Sequence, residues 1–205
     1  MASANPPTRN AGGRRREREI YEAAIATFHR RGYADTSVEE IAEAVGILKG
    51  SLYHYIDSKE DLLFGILREV HVETDQLLAA ARQRSDLTPL EQLLEYVRAQ
   101  VTYNAENVEK IVVYYHDLNQ LSPARADEIA TLRRAHERYV IGLVSEAQKH
   151  GEIDPSLNRS LVAAQVFASV GWIYTWYRPG RSVPADTLAD FIVASVRRAF
   201  ASDRD

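Results

Sequence analysis

Apolar residues recur at three- and four-residue spacings along most of the chain, which is the pattern of amphipathic helices. Between Arg14 and Arg31, for example, Ile20, Ala24 and Phe28 fall on one face, and Gly32 follows as a stop signal. Further helices are predicted over about 37–46, 49–55, 59–81, 89–105, 107–118, 123–150, 155–177 and 184–201. Short β-branched runs lie inside these helical patterns, so the sequence predicts an all-α fold of about nine helices.

Residues with capping side chains mark several of the predicted helix starts. Ser37 is followed three residues later by Glu40, and Thr88 by Glu91, which is the spacing of a capping box. Ser58 fits as the cap of the helix that begins at residue 59. Three starts, including the one at Thr88, place a capping oxygen before a proline suited to the first helical turn: Thr88-Pro89, Ser122-Pro123 and Asp154-Pro155.

Composition excludes several classes of site. The 205 residues are 45% hydrophobic and include no cysteine, so disulfides, zinc–thiolate sites and a thiol nucleophile are excluded. The first residues lack an apolar signal segment. The longest uncharged stretch, residues 160–177, is shorter than the ~20 residues of a membrane span. We therefore expect a cytoplasmic protein without a membrane partner.

Enzyme motifs are also missing from the sequence. It contains no Gly-x-Ser-x-Gly elbow, no Gly-rich phosphate loop and no complete His-Glu-x-x-His helix. His136-Glu137 begins the last motif, but Val140 stands where the second histidine belongs. His116 and Asp117 are adjacent on a helix and point about 100° apart, which makes a weak pair. No catalytic residue, metal ligand or cofactor is predicted, and a helical enzyme or ligand-binding protein without DNA binding is the alternative.

Two short helices joined by a turn at Gly46 form the pattern of a helix-turn-helix. The second helix carries five hydrogen-bonding side chains: Lys49, Ser51, Tyr53, His54 and Tyr55. Two tyrosines and a histidine in succession cannot all face inward from one turn, so some of them face solvent or a ligand.

Charge is concentrated before this motif. The net charge is −4, so bulk charge does not draw the chain to nucleic acid. Residues 9–18 nevertheless hold five arginines against one acid, Glu17. Charge alone favours a solvated, flexible tail, and a neighbouring DNA-binding motif turns the same residues into a phosphate-contacting arm.

Residues 36–42, 46–47, 50–56 and 58–62 together resemble the DNA-binding domain of the TetR family of transcriptional regulators, over about residues 14–66. The resemblance implies a recognition helix in the major groove, with Tyr53 and Lys59 on phosphates. One departure is Leu48, where the family often has a Ser or Thr cap. Lys49 is the most plausible guanine reader. The predicted DNA-binding residues are Arg14, Arg15, Arg16, Ser37, Lys49, Gly50, Ser51, Tyr53, His54, Tyr55 and Lys59.

The remainder of the chain, residues 59–205, is expected to bind an effector and to dimerise, after a disordered tail at 1–13 and the DNA-binding domain at 14–58. Residues 161–177 are apolar all round, and the last helix adds its own stripe. Both fit a homodimer through about residues 155–201, although burial of both helices within one subunit stays open. A dimer predicts a palindromic operator with recognition helices about one DNA turn apart, roughly 34–36 Å.

Aromatic residues crowd this C-terminal part, with Gln100, His116, Asn119 and Gln165 as polar companions. About half are expected in the core, but buried Tyr and Trp need polar partners, which favours a partly polar cavity. Residues 176–180 resemble a segment of actinobacterial TetR-type regulators of sterol and lipid breakdown, whose effectors are acyl-CoA thioesters. The predicted effector-binding residues are Tyr103, Tyr114, Tyr115, His116, Asn119, Trp172, Trp176 and Arg178. The predicted function is a ligand-released regulator, by family habit a repressor. The predicted effector is a small hydrophobic or acyl-CoA-type molecule, that is, an aromatic, lipid-like or acyl-CoA ligand.

Overall fold

The computed structural model describes residues 11–181 and 183–202, except for the side chains of Ala11, Gly12 and Arg14. The prediction of a disordered tail over 1–13 falls outside this range for residues 1–10. Residues 11–13 are helical, so α1 begins three residues before the predicted helix start at Arg14.

The described residues form ten α-helices and one 3₁₀ turn, and the predicted all-α fold is confirmed. The helices are α1 (Ala11–Arg31), α2 (Val38–Val45), α3 (Lys49–Leu52), α4 (Lys59–Gln83), α5 (Pro89–Glu106), α6 (Val108–Asp117), α7 (Pro123–Lys149), α8 (Arg159–Gly171), α9 (Ile173–Trp176) and α10 (Ala185–Phe200). The 3₁₀ turn covers Leu118–Gln120. Outside the helices, Ile153 and Ala201 form an isolated antiparallel bridge.

Caps fix α2 and α5 as the sequence predicts. The Ser37 hydroxyl accepts from the Glu40 amide at 3.2 Å, and the Glu40 carboxylate accepts from the Ser37 amide at 2.8 Å. Thr88 and Glu91 form the same capping box at α5. Gly46 ends α2 with φ +72°, a left-handed conformation that glycine adopts without steric penalty.

The helix predicted over 155–177 is wrong at its start and in its middle. Asp154 Oδ1 accepts from the Ser156 amide at 2.8 Å, which closes a local turn in place of a helix cap. Asn158 caps α8 four residues later, through Oδ1 and the amides of the next residues. The helix then breaks at Trp172, so α8 and α9 replace one predicted helix. Ser122 makes no side-chain cap at α7, and its amide donates to Glu60 at 2.8 Å.

Two hydrophobic clusters fill the interior. The N-terminal cluster joins α1, α2 and α3 to the first half of α4 through fully buried residues such as Ile20, Ile41, Leu52 and Leu63. It continues without a break into α6 and α7. The second cluster lies among α5, α7, α8 and α10. The N-terminal cluster is therefore shared by the helix-turn-helix and the body, and α4 runs through it and connects the two. None of the helices within the described ranges is long and apolar enough to cross a membrane.

Candidate DNA-binding surface and effector cavity

Helix α3 is a single turn, shorter than the predicted helix over 49–55, and the turn that follows it presents polar side chains to solvent. Leu52 is fully buried and anchors the turn, while Tyr53 is 45% exposed and His54 is exposed. Tyr55 is half-buried against the N-terminal cluster. The outward direction expected for this turn is therefore present.

Leu48 precedes α3 and provides no side-chain cap, as its departure from the family pattern implies. Its side chain is 80% exposed. Its carbonyl accepts from the amides of Ser51 and Leu52 at 2.9 and 3.2 Å, which closes the turn through the backbone alone. The amides in the first turn of α3 therefore donate to no capping side chain of Leu48.

Lys49, the predicted guanine reader, is exposed and pairs with the Glu39 carboxylate of α2. The hydrogen bond to Glu39 raises the pKa of the Lys49 ammonium, which keeps it cationic. Gly50 and Ser37 are also exposed on this side. A base contact by Lys49 requires exchange of Glu39 for a base edge.

Lys59 occupies a different environment from the one predicted. Its ammonium donates to the carbonyls of Tyr33 and Thr36 at 2.8 Å and of Ala34 at 3.4 Å, and it lies 4.2 Å from the centre of the Tyr33 ring. These carbonyls belong to the connection between α1 and α2, so they accept no hydrogen bond of a helix. The structure therefore uses Lys59 to fix this connection against α4, and a phosphate contact by Lys59 stays a prediction.

The arginines near the N-terminus lie on the first turns of α1, so this basic segment is helical where it is described. Arg15 and Arg16 pair with Glu19, and Arg18 pairs with Glu22. Exposed pairs of this kind contribute little to stability and exchange readily. Arg15 and Arg16 therefore remain available to phosphates, and Arg14 lies in α1 with its side chain outside the described part.

A cavity of about 610 Å³ lies in the body between α4, α5, α6, α7 and the α8–α9 segment. This volume is typical of small-molecule sites. Three of the predicted effector residues line it: Tyr114, Tyr115 and Trp172. The lining also contains Gln100, which the sequence analysis named only as a polar companion. The remaining polar lining residues were not predicted as effector contacts: His71, Thr74, Tyr96, Asn104, Arg133, His136, Glu137 and Tyr174.

Two histidine–tyrosine hydrogen bonds border the cavity. His71 Nε2 lies 2.9 Å from the Tyr114 hydroxyl, and His136 Nε2 lies 2.8 Å from the Tyr96 hydroxyl. Burial lowers the pKa of His71 to about 4 and raises the pKa of Tyr114 to about 12. Both members of the first pair are therefore neutral at pH 7, and this wall is polar without net charge.

The other predicted effector residues lie outside the cavity lining. The Tyr103 hydroxyl donates to Glu73 at 2.6 Å, in a cluster where Glu73 also pairs with Lys110. Asn119 is exposed in the 3₁₀ turn, and the exposed Trp176 belongs to α9. Helical geometry explains these misses, because neighbours in sequence point in different directions.

His116 and Arg178 also differ from the prediction. The His116 ring packs edge-on against Tyr174 outside the cavity. Arg178 donates to the Tyr177 carbonyl at 2.8 Å and to the carbonyls of α9, which places its guanidinium at the C-terminal end of that helix. It borders a separate, largely charged groove of about 1420 Å³ between α1, α4 and α6. That groove is less suited to an apolar ligand than the 610 Å³ cavity.

The start of α4 is tied to the body by a charged contact with α7. Arg125 pairs with Asp61 and lies 3.7 Å from Glu60, while its guanidinium stacks 5.2 Å from the Phe64 ring centre. The Arg125 guanidinium holds the pKa of Asp61 below its usual range despite partial burial. The same Glu60 accepts from the Ser122 amide at 2.8 Å. These contacts hold the start of α4 against α7 of the body.

An apolar surface covers α8, α9 and α10. Leu161 is 70% exposed and Phe191 is 66% exposed. Trp172 and Trp176, which lie between them in the sequence, are also exposed. The opposite face of α10 packs along α5 through Leu188 and neighbouring residues. Exposed apolar side chains of this size are typical of a protein interface.

Comparison with known proteins identifies the fold. The sequence profile described as "Bacterial regulatory proteins, tetR family" matches residues 20–66, and the profile described as "Tetracyclin repressor-like, C-terminal domain" matches residues 86–200. The chain belongs to the TetR family. It is a DNA-binding, ligand-responsive transcriptional regulator and not an enzyme, in agreement with the sequence analysis.

Named relatives of this TetR-family regulator cover nearly its whole length. The repressor KstR2 of Mycobacterium tuberculosis is 30% identical over 184 residues, covering 88% of this chain and 90% of the relative. KstR2 of Rhodococcus jostii is 30% identical over 206 residues, covering 96% and 97%. Both relatives are named as HTH-type transcriptional repressors.

Solved structures give the same assignment. The ketosteroid transcriptional regulator KstR2 of Mycobacterium tuberculosis superposes with a TM-score of 0.85 at 26% identity, covering 92% of this chain and 96% of the other. AibR, solved with isovaleryl coenzyme A and operator DNA, superposes with a TM-score of 0.78 at 27% identity, covering 88% and 97%. Members of the family bind operators as dimers and respond to small molecules.

Proposed function

We propose that the chain is a repressor that binds a palindromic operator as a homodimer and is released by an acyl-CoA-type effector. The observation that carries the proposal is the arrangement of two separate sites on one helix. Helix α4 contacts the helix-turn-helix at its start and contributes Val70, His71 and Thr74 to the cavity further along. Such a regulator acts on chromosomal DNA, which also supports the expected cytoplasmic location.

On DNA, the proposal divides the predicted DNA-binding residues by task. Arg14, Arg15, Arg16 and Ser37 hold phosphates near the entry of the domain, and Tyr53 holds a phosphate beside α3. Lys49, Gly50, Ser51 and Tyr55 face the major groove, where a lysine ammonium pairs best with guanine. His54 borders the same surface. This division predicts that loss of the Tyr53 side chain lowers the affinity for all DNA sequences by a similar factor. Loss of the Lys49 side chain should instead change which bases are preferred.

The homodimer forms through α8 and α10, within the predicted interval of residues 155–201. Exposed Leu161 and Phe191 support this assignment, because a stable monomer rarely leaves both side chains in water. A symmetric pair contacts the same surface on each subunit. It places the two copies of α3 on one face of the duplex, which matches a palindromic operator.

The effector class is supported by the relatives and by the composition of the cavity. One structural neighbour was solved with isovaleryl coenzyme A, and another is described as a ketosteroid regulator. In this chain, Ile111 and Phe167 provide apolar lining for an acyl group. Exposed Arg133 and Trp172 lie on the same lining and suit the charged and aromatic parts of a coenzyme A ester.

Release follows from a difference in effector affinity between two positions of α4. An effector that fits one position better shifts the population toward it, and only this difference changes DNA affinity. The start of α4, which Arg125 of α7 holds through Asp61 and Glu60, packs against α1, α2 and α3 and carries the shift to that domain.

Footprinting on DNA beside the protein's own gene tests the proposal. A protected palindrome that is lost on addition of one member of an acyl-CoA panel supports it. The variant Tyr53→Ala should lower affinity for all duplexes, and Tyr139→Ala, an exposed tyrosine on α7, is the matched control. Binding that is indifferent to sequence and unaffected by every acyl-CoA would contradict the proposal.

A further inference from the structure

We infer that the effector carries a hydrogen-bond donor, a hydroxyl or an amide N–H, that binds Gln100 Oε1 in the cavity. The inference rests on the proposed function in taking the 610 Å³ cavity as the effector site, and it adds a chemical requirement for the ligand. The decisive feature is a buried acceptor without a donor.

Gln100 lies on α5, lines the cavity and is 6% exposed. Its Nε2 donates to Asn104 Oδ1 at 2.9 Å, and Asn104 Nδ2 donates to the Val170 carbonyl at 2.8 Å. The Val170 carbonyl can only accept, so it fixes the orientation of Asn104 and thereby that of Gln100. Gln100 Oε1 is left over, and within residues 11–181 and 183–202 no hydrogen-bond donor reaches it.

Neighbouring lining groups do not provide the missing donor. Asp75 can only accept, so the hydrogen bond of 2.5 Å places a proton on His136 Nδ1, and in the tautomer with this single ring proton Nε2 is an acceptor. In this tautomer the Tyr96 hydroxyl donates to Nε2 at 2.8 Å, and burial raises the pKa of Tyr96, which keeps the phenol protonated. Tyr96 therefore presents lone pairs to the cavity.

Thr74 has the same property, because its hydroxyl donates to the His71 carbonyl at 3.2 Å. Gln100, Tyr96 and Thr74 each add a hydrogen-bond acceptor to the lining, while Arg133, Trp172, Tyr115, Tyr174 and the His71–Tyr114 pair carry donors elsewhere on it. None of these donors reaches Gln100 Oε1. A hydrocarbon group beside Gln100 leaves this acceptor unmatched, and a ligand hydroxyl or amide N–H satisfies it. Gln100 Oε1 therefore selects for a donor at this point of the cavity.

Two pairs of probes test this selection by isothermal titration calorimetry on the full-length protein without DNA. The first pair is 2-naphthol and 2-methoxynaphthalene, and the second is 8-hydroxyoctanoyl-CoA and 8-methoxyoctanoyl-CoA. Each methoxy compound keeps the oxygen acceptor and lacks the donor. We expect the donor-bearing member of at least one pair to bind about tenfold more tightly, which corresponds to about 1.4 kcal/mol.

The variant Gln100→Met removes the acceptor with an unbranched side chain of similar length. We expect the preference to fall to twofold or less in this variant. Gln76→Met, at an exposed position on α4 outside the cavity lining, is the matched control and should keep the wild-type preference. Melting temperatures of all three proteins show whether each is folded, and the wild-type comparison stands even where Gln100→Met does not fold.

Two results would overturn the inference. The first is that neither pair shows a donor preference, because both probes of a pair bind equally or because neither binds. The second is a donor preference that persists in folded Gln100→Met. Its failure is distinguishable from failure of the proposed function. A donor preference for 2-naphthol upholds the inference even where no acyl-CoA releases DNA. Release of DNA by an acyl-CoA without any donor preference upholds the proposed function alone.

Discussion

Replacing Lys59 by methionine separates two roles of this residue, internal anchoring and phosphate binding. Methionine keeps an unbranched apolar stem and removes the ammonium. The carbonyls of Tyr33, Ala34 and Thr36 then lose their common donor, and the Tyr33 ring loses a cation at 4.2 Å. The connection between α1 and α2 is expected to loosen.

The magnitude follows from the geometry. A hydrogen bond from a charged donor contributes about 1.5–3 kcal/mol when it is well buried. Lys59 is half-buried and water can reach the released carbonyls, so we expect a total loss of about 1–2 kcal/mol. For a chain of this size each kcal/mol shifts the melting temperature by about 2–4 °C, which gives a decrease of roughly 2–8 °C.

Circular dichroism melting and DNA binding at several salt concentrations measure the two roles. Each lost phosphate contact reduces the slope of log affinity against log salt by about 0.9. We expect Lys59→Met to lower the melting temperature and leave this slope unchanged. Lys149→Met, at an exposed position near the end of α7, is the control for stability. An unchanged melting temperature with a reduced slope would refute the anchoring role and support a direct phosphate contact.

Three further predictions concern the body. Phe191→Asp should convert the dimer to a monomer at micromolar concentration in sedimentation, and an intact dimer would exclude α10 as the interface. Thr88→Ala should lower the unfolding free energy by about 1 kcal/mol in urea without changing DNA affinity. Since the pKa of His71 falls from 6.5 to about 4 on folding, the unfolding free energy should decrease by at most about 3 kcal/mol as pH falls from 6.5 to 4. An equal decrease in His71→Gln would contradict this.

Much of the helix-turn-helix can be predicted from the sequence because its signals are local. Ser37 and Glu40 cap α2 within one turn, and Gly46 ends it with the positive φ that glycine favours. The turn after Leu52 holds consecutive polar side chains, and local geometry alone directs some of them outward. The role of the Lys59 side chain depends on tertiary contacts and could not be predicted locally. Its carbonyl partners belong to residues more than twenty positions earlier in the chain.

The cavity could be predicted only in part. Tyr114, Tyr115 and Trp172 belong to aromatic clusters that are visible in the sequence. His71 and His136 come from α4 and α7, and each looks like an isolated polar residue in its own helix. Only the crossing of these helices brings them to one wall.

The wrong helix start predicted at Asp154 has another origin. Asp and Asn favour both turns and helix caps, so the sequence does not show that Asn158, and not Asp154, caps the helix.

The single turn of α3 is anchored by Leu52 while its outer side chains serve few internal needs. Substitutions on that outer side therefore leave folding largely untouched. After gene duplication, a copy of such a regulator could acquire a new target sequence by a few point mutations while its body keeps sensing the same metabolite. Operator choice and metabolite choice are in this sense separately evolvable.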